Sequence, residues 1–305
     1  MSLENTRVWF ITGSSQGIGR ALVEELLASG ERVVATLRKP SALASLAERY
    51  PTTQLLILPL DVTRNDQITT AFEDTKKHFG RLDVVVNNAG FGLLSELETT
   101  PDEEARKQVE VLFWGPVNIC KQAIPFMRDV NPPGAGGLIM NVSTIGGYSA
   151  NAGLAFYSSG KFALEGFTEA LNKEMIPSWN IKAVILELGG FRTEWAGSSM
   201  ITLPSLPIYT TDDAPSEQMR RLLGHKAAAA TGDPKKSAKA FIKLANEKNK
   251  LPLRVQLGTD SSLIVSFKAK QTLEDAKVWE DFAASTNAND VDKEQLVQQL
   301  KFSFS

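Results

Sequence analysis

Short apolar runs alternate along the chain with longer segments in which apolar residues recur every three or four positions. The short runs are rich in branched aliphatic residues, as is typical of strands that are buried on both faces of a sheet. The longer segments have the pattern of helices that cross from one strand to the next. This alternation predicts an α/β fold, a doubly wound parallel sheet in three layers. The predicted strands are 8–12, 32–37, 55–60, 82–86, 137–142 and 181–186, and the predicted helices are 17–29, 41–50, 64–79, 101–127 and 155–175.

The regular alternation ends after Gly189. Residues 200–230 combine prolines and serines with an alanine-rich helical end, 235–250 has a helical pattern, and 253–257 has a strand pattern. No linker rich in Gly, Ser or Pro separates this part, so the sequence predicts a single domain over 1–305. Within it we expect a core at 1–190, a lid with closing elements at 191–286, and a polar, partly loose tail at 287–305.

Composition and charge narrow the classes of partner. The 305 residues carry 33 basic and 35 acidic side chains, for a net charge of -2, without the basic stripe that binds nucleic acid. The single cysteine, Cys120, cannot form an internal disulfide, and His78 and His225 have no metal-ligand spacing. No apolar run approaches the roughly 20 residues of a membrane span, and no signal-like segment opens the chain. We expect a cytoplasmic protein with no metal, no nucleic-acid partner and no membrane span.

A glycine-rich loop follows the first predicted strand. Residues 12–19 read Thr-Gly-Ser-Ser-Gln-Gly-Ile-Gly and open into a helical pattern. Such a loop lets a pyrophosphate approach the backbone at a helix N-terminus, although a glycine turn between strand and helix is also common without a ligand. Arg38 and Lys39 end the second strand where an acidic residue would select NAD. With Ser14 or Ser15 nearby, they favour NADP(H), unless Arg38 is only a solvated strand-end charge.

Four motifs stand at strand ends in a characteristic order. After the loop at 12–19 come Asp61 and Val62, Asn-Asn-Ala-Gly at 87–90, and Tyr-Ser-Ser-Gly-Lys at 157–161. Together they resemble the short-chain dehydrogenase/reductase (SDR) family, which implies a Rossmann-type sheet of usually seven strands. The resemblance also implies that Asp61 and Val62 flank the adenine and that residues 87–90 shape the dinucleotide groove. The predicted cofactor-binding residues are Gly13, Ser14, Ser15, Gly17, Ile18, Gly19, Arg38, Asp61, Val62, Asn87, Ala89, Gly90, Lys161 and Thr193.

Tyr157 and Lys161 are four residues apart and therefore share one helix face. A nearby ammonium favours the phenolate and so lowers the pKa of a tyrosine, which can then exchange a proton with a carbonyl oxygen. Outside this context such a pair is usually surface packing, but the resemblance implies that Tyr157 is the acid/base and Lys161 its activator. The family also has a hydroxyl thirteen residues before the tyrosine. That count leads to Thr144, with Ser143 as the alternative.

Two positions depart from the family pattern. The family's catalytic Asn, three residues before a Gly, is Leu112 here, and leucine cannot hold a water in a proton relay. The relay is therefore expected to be broken or rerouted, while Leu112 simply packs its helix against the sheet. Leu188 takes the place of the proline in a Pro-Gly segment that contacts the nicotinamide carboxamide. Thr193 is retained as the expected carboxamide contact.

The resemblance implies an NADP(H)-dependent oxidoreductase, either a carbonyl reductase or an alcohol dehydrogenase. The bulky lid residues suggest a hydrophobic small-molecule substrate, although they would serve ordinary packing equally well. The departures leave two alternatives open: an SDR-derived non-redox isomerase, cyclase or dehydratase, and a non-catalytic nucleotide-binding protein. Relatives often pair through helices equivalent to 101–127 and 155–175, which implies a homodimer or homotetramer. The lid residues are Trp195, Met200, Ile201, Leu203, Leu206, Ile208 and Tyr209.

Overall fold

The computed structural model describes residues 6–247 and 251–301. Seven strands form one parallel sheet in the order β3-β2-β1-β4-β6-β7-β9, and β5 and β8 form a separate parallel pair. The strand order reverses between β1 and β4, which opens a crevice at the carboxyl ends of these two strands. The strands are β1 Val8–Thr12, β2 Arg32–Leu37, β3 Leu55–Pro59, β4 Val84–Asn87, β5 Gly92–Leu94, β6 Gly137–Thr144, β7 Ile181–Leu188, β8 Met200–Thr202 and β9 Arg254–Leu257.

Helices cover both faces of the seven-stranded sheet. A π-helical turn, Glu110–Trp114, joins α4 to α5, so the long predicted helix at 101–127 is continuous but irregular in its middle. The helices are α1 Gly17–Ala28, α2 Ala44–Ala47, α3 Asn65–Phe79, α4 Asp102–Val109, α5 Gly115–Asp129, α6 Ala155–Glu174, α7 Pro215–Ala229, α8 Pro234–Ala245, α9 Thr259–Val278, α10 Glu280–Ala284 and α11 Lys293–Lys301.

The core lies on both sides of the sheet because successive strand residues point to opposite faces. Trp9 of β1 packs in the cluster that includes α1 and α8, and Phe10 packs in the cluster on the α3, α5 and α6 side. Both side chains are fully buried, and Phe10 stacks on Phe72 of α3 with 4.7 Å between ring centroids. The three-layer, Rossmann-type fold predicted from the alternating pattern is confirmed.

Most predicted elements lie within two or three residues of the observed ones, and five were missed, namely β5, β8, α9, α10 and α11. The predicted helix at 41–50 is shorter, a 3-10 turn at Pro40–Leu43 followed by α2. The helix predicted at 235–250 ends at Ala245, and 248–250 lie outside the described residues. The short strands β5 and β8 and the helix α9 carry no clear periodicity. In α9 this is because its apolar residues do not follow one face, and Leu263 and Phe267 are exposed.

The chain divides into two compact units, Met1–Ile264 and Val265–Ser305. The first contains the whole seven-stranded sheet. In the second, the described residues form the end of α9, then α10 and α11, and expose Trp279 and Phe282. The tail predicted at 287–305 thus contains a helix, while 302–305 lie outside the described residues. The single-domain interpretation stays a prediction.

Over 6–247 and 251–301, no helix is both long enough and apolar enough to cross a bilayer.

Candidate active site

The loop between β1 and α1 is shaped by its glycines. Gly13 and Gly17 have φ angles of 69° and 59°, in the left-handed region that favours glycine. A Cβ on Gly13 would lie 2.8 Å from the Cα of Ala89, so the two loops can meet only with glycine there. No side chain caps the N-terminus of α1 after Gln16, and its first turn has no acidic residue. Its first-turn N–H groups therefore remain available to an anion.

Asn88 ties the 87–90 loop to the glycine loop. Its side-chain amide donates to the carbonyl oxygens of Thr12, at 3.0 Å, and Gly13, at 3.1 Å. The Thr12 hydroxyl in turn accepts hydrogen bonds from the backbone N–H groups of Asn88 and Ala89. Sequence reasoning did not single out Asn88, and only its position inside the motif signals this role.

The side chain of Asn87 makes its hydrogen bond inside the protein. Its Nδ2 donates to Oδ1 of Asn141 at 2.8 Å, and Asn141 donates to the hydroxyl of Thr168 on α6 at 2.8 Å. Asn87 is buried, and its Oδ1 has no hydrogen-bond partner. These bonds connect β4 and β6 to α6, so Asn87 supports the position of the helix that carries Tyr157.

The residues predicted for the adenosine end differ in how their side chains are used. Ser14 is fully buried and its hydroxyl donates to the carbonyl of Ile11 at 3.0 Å, whereas Ser15 and Arg38 are exposed. Asp61 accepts hydrogen bonds from the backbone and hydroxyl of Thr63, at 3.0 and 2.8 Å. The free polar groups at this end are therefore those of Ser15 and Arg38.

The hydrophobic residues of the predicted cofactor site are packed into the framework. Ile18 and Val62 are buried, and a Cβ on Gly115 would lie 2.9 Å from Cγ2 of Val62. Thr193, in the segment after β7, lies close to the glycine loop. A Cβ added to Gly17 would be 3.5 Å from the Thr193 side chain. This contact brings the residue predicted to bind the nicotinamide carboxamide next to the loop.

Tyr157 lies on α6 and is 5% exposed. The lowered pKa expected for Tyr157 is not found: burial raises its pKa well above the usual value for a tyrosine, and a hydrogen bond with Thr144 offsets only part of this rise. Its ring lies 5.1 Å from the ring of Trp195, between centroids. An apolar cluster surrounds it and consists of Leu94, Leu112, Leu154 and Leu223, with Trp195, Met200 and Met219 packed against them.

Lys161 is also 5% exposed, one helical turn after Tyr157. Its Nζ donates to the carbonyl oxygen of Val142 at 2.6 Å. Burial lowers its pKa to about 8, and the negative charge of Glu165 opposes that shift. Lys161 therefore remains mostly protonated at neutral pH, although its pKa lies only slightly above that pH.

Ser143 and Thr144 point their hydroxyls to different places because alternate residues of a strand face opposite sides. The Ser143 hydroxyl is buried and donates to Oε1 of Glu165 at 2.6 Å. The Thr144 hydroxyl accepts from the backbone N–H of Gly146 at 2.8 Å and lies beside Tyr157. Of the two candidate hydroxyls, only that of Thr144 is placed to meet a substrate bound at Tyr157.

Leu112 lies in the π-helical turn and is fully buried. A Cβ on Gly90 would lie 3.0 Å from its Cδ2, and one on Gly160 would lie 3.1 Å from its Cβ. Leu112 therefore fills the space between the 87–90 loop and α6. Its side chain offers no polar atom beside the turn that carries Lys161.

The segment after Leu188 is fixed by a residue that sequence reasoning missed. Leu188 pairs with Thr144 of β6 and with Leu257 of β9. The carboxylate of Asp260, at the start of α9, accepts the N–H of Gly190 at 2.6 Å. Its only sequence signal is its position just after the last strand of the sheet.

A buried ion pair joins the lid to the loop after β5. Arg220 of α7 donates to both carboxylate oxygens of Glu96 at 3.1 Å and to the carbonyl of Leu203 at 3.0 Å. Ser205 donates to the same carboxylate at 3.0 Å. A second link runs from Gln16 of the glycine loop to the hydroxyl of Ser199. Sequence reasoning missed both links because their partners are far apart in the chain.

Sequence comparison gives two findings. The family model described as short chain dehydrogenase matches residues 7–202. An uncharacterized oxidoreductase from Schizosaccharomyces pombe is 38% identical over 251 residues, which amount to 82% of this chain and 82% of that protein. The residues matched by the family model include the glycine loop and the Tyr157–Lys161 motif.

Structure comparison agrees with the sequence matches. A short-chain dehydrogenase from Streptomyces avermitilis has a TM-score of 0.84 and 33% identity, with 94% of this chain and 100% of that chain covered. A short chain dehydrogenase from Burkholderia cenocepacia in complex with NADP has a TM-score of 0.67 and 22% identity, with 90% and 97% covered. The second likeness shows the fold alone.

Proposed function

The chain belongs to the short-chain dehydrogenase family, and from that premise we propose an NADP(H)-dependent oxidoreductase that acts on a hydrophobic carbonyl or alcohol. The observation that carries the proposal is the grouping of Tyr157, Thr144 and Lys161. The Thr144 hydroxyl bonds to the phenol, and Lys161 lies one helical turn away. This grouping supports proton transfer to an oxygen held between the two hydroxyls.

The residues around the glycine loop fit a dinucleotide. The uncapped N-terminus of α1 would bind the pyrophosphate, and the exposed Ser15 and Arg38 would bind the additional phosphate of NADP. Thr193, beside the loop, would bind the nicotinamide carboxamide. When bound, the cofactor supplies or accepts a hydride at the reacting carbon. The Burkholderia cenocepacia protein that shares this fold was solved in complex with NADP.

Tyr157 would act as the proton donor in the direction of reduction. The phenol is protonated at neutral pH, but burial raises its pKa and so makes it a weaker acid. Donation to a carbonyl oxygen would therefore depend on the groups that stabilise the phenolate. Thr144 would hold that oxygen, and the charge of Lys161 would stabilise the phenolate that remains. This assignment favours carbonyl reduction over alcohol oxidation near neutral pH.

The surroundings of Tyr157 suggest the substrate class. Leu94, Leu154, Leu223 and Met200 contribute apolar surface, and Trp195 lies beside the phenol ring. The hydroxyl of Thr144 is the polar group found beside the phenol, and the side chains of the cluster around it are apolar. We therefore infer a ketone or aldehyde with an aliphatic or aromatic substituent.

Leu112 favours a second candidate function, a cofactor-dependent reaction without net redox change, since its side chain can hold no water. The test is a panel of aliphatic and aromatic ketones incubated with NADPH. Alcohol formed in equal amount to the NADPH consumed would support the proposed reductase. Product formed without NADPH consumption would support the second candidate, and NADPH binding without any product would overturn both.

We also propose a cytoplasmic location and assembly into a homodimer or homotetramer. The single cysteine, Cys120, is buried, as suits a protein of the reducing cytoplasm. Trp114 and Phe162 are exposed on the π turn and on α6, which supports pairing of two or four copies through these helices. Light scattering on Phe162→Asp tests this assembly, and an oligomer of unchanged mass would contradict it.

A further inference from the structure

A buried polar cluster lies behind the catalytic face of α6, and its centre is Glu165. This carboxylate is 3% exposed and follows Lys161 by one helical turn. Ser143 donates to its Oε1 at 2.6 Å, and Nε of Arg254 lies 3.3 Å from its Oε2. A Cβ on Gly147 would collide with the Ser143 hydroxyl and the Glu165 carboxylate, so backbone closes over the group.

We propose that Glu165 is a positioning residue whose buried negative charge keeps Lys161 protonated beside Tyr157. The inference rests on the proposed function, since it assigns Glu165 to the same site. Lys161 itself donates to the Val142 carbonyl, which carries no formal charge. Leu112 removes the polar side chain that the family has nearby. Glu165 is the acidic residue one turn away on the same face of α6.

Groups from three strands face the carboxylate, two that bind it and one that repels it. Ser143 of β6 donates to it, Glu187 of β7 faces it as a second acidic group, and Arg254 of β9 pairs with it. Arg254 also pairs with Glu169, one turn further along α6, at 3.2 Å, and with Glu187 at 3.5 Å. Because one guanidinium serves three carboxylates, it leaves part of the charge of Glu165 unmatched. The charge of Lys161, one turn earlier on α6, interacts with it as well.

The direction of the effect follows from the charges. Burial lowers the pKa of Lys161 to about 8, and the Glu165 charge opposes that shift. Burial likewise raises the pKa of Glu165 to about 7, so the counter-charge is about half formed at neutral pH, complete in the alkaline range where Lys161 titrates, and lost in acid. Removing it should lower the pKa of Lys161 by about one unit, the size expected of a nearby opposite charge.

The test is an NMR titration of the full chain, without cofactor or substrate, with an isotope label at lysine Cε. Loss of a signal in Lys161→Arg assigns the resonance. In Glu165→Gln the titration midpoint of Lys161 is expected to fall by about one pH unit. The matched control is Glu169→Gln, which removes a carboxylate from the same helix and the same arginine but one turn further away. Its midpoint is expected to equal that of the wild type.

An unchanged midpoint in Glu165→Gln, or an equal fall in both variants, would overturn the proposal. If Glu165→Gln does not fold, Ser143→Ala gives the answer, since it keeps the carboxylate but removes the hydrogen bond that favours its charge. That variant should move the Lys161 midpoint in the same direction by less, and no movement would contradict the proposal. Glu165→Asp keeps the negative charge, so its Lys161 titration midpoint should lie close to the wild-type value.

The titration separates this inference from the proposed function. A chain that reduces no carbonyl would refute the reductase, yet the Lys161 midpoint would still report on Glu165. If reduction occurs, its rate in Glu165→Gln should decline at a lower pH than in the wild type, because Lys161 loses its proton earlier. A loss of rate that is equal at all pH values would indicate a structural role only.

Discussion

The ion pair between Arg220 and Glu96 should anchor the lid, and Arg220→Met tests this. The variant leaves a carboxylate that is 3% exposed without its cation. Breaking a buried pair by removing one partner costs roughly 3–5 kcal/mol, and the 15% exposure of Arg220 places this pair near the low end, at about 3 kcal/mol. The matched control is Arg221→Met. Arg221 follows in the chain but pairs with the exposed Asp212, so its loss should change stability little.

The assay is urea unfolding, followed by tryptophan fluorescence because Trp195 packs in the same apolar cluster as Leu223 and Met219 of α7. A double-mutant cycle with Glu96→Gln isolates the pair, since Glu96→Gln/Arg220→Met removes both charges. The double variant should be more stable than Arg220→Met alone. If Arg220→Met costs less than about 1 kcal/mol, or if the two substitutions are additive, the pair is not the anchor described here.

Three other outcomes concern separate parts of the site. Arg38→Ala should weaken NADPH binding while NADH binding stays unchanged, and an equal loss for both cofactors in a fluorescence titration would reject the phosphate contact. Asp260→Ala should raise the KM for NADPH, because the segment that carries Thr193 loses its hydrogen bond to Asp260. Asp260→Asn should raise the KM less. Equal KM values for the two variants would contradict this. Burial raises the pKa of Glu96, but hydrogen bonds to its own backbone and from Arg220 outweigh it and lower the pKa overall. The stability from this lowered pKa is therefore present above about pH 4.3 and lost as the pH falls through the folded value, so Tm of Glu96→Gln should fall less steeply in acid than Tm of the wild type.

Features that depend on neighbours in the chain were predictable from the sequence. The glycine loop, the 87–90 loop and the Tyr157–Lys161 pair each lie within a few residues, and strands buried on both faces give continuous apolar runs. β1 and β2 were predicted with their observed bounds for this reason. The family assignment followed from the order of these local motifs and is confirmed by the comparisons.

Features that depend on distant partners were not predictable. Asp260 meets Gly190 across 70 residues, and Arg220 meets Glu96 across 124. Neither pair has a spacing that a single sequence can reveal, because only the folded sheet brings them together. Ser143 shows a related limit: its position beside Thr144 suggested an alternative catalytic hydroxyl, whereas the strand alternation turns it toward Glu165.

Proton donation by the Tyr157 phenol is the central claim, and the most direct test is the rate of NADPH oxidation by Tyr157→Phe at saturating cofactor and ketone. This change removes one oxygen from a buried ring and leaves the surrounding apolar contacts in place. The rate should fall by a factor of about 10² to 10⁴, the usual contribution of a general acid, while NADPH affinity is retained. Tyr50→Phe, at a tyrosine packed beside the other face of the sheet, should match the wild type. Wild-type turnover in Tyr157→Phe would contradict the account.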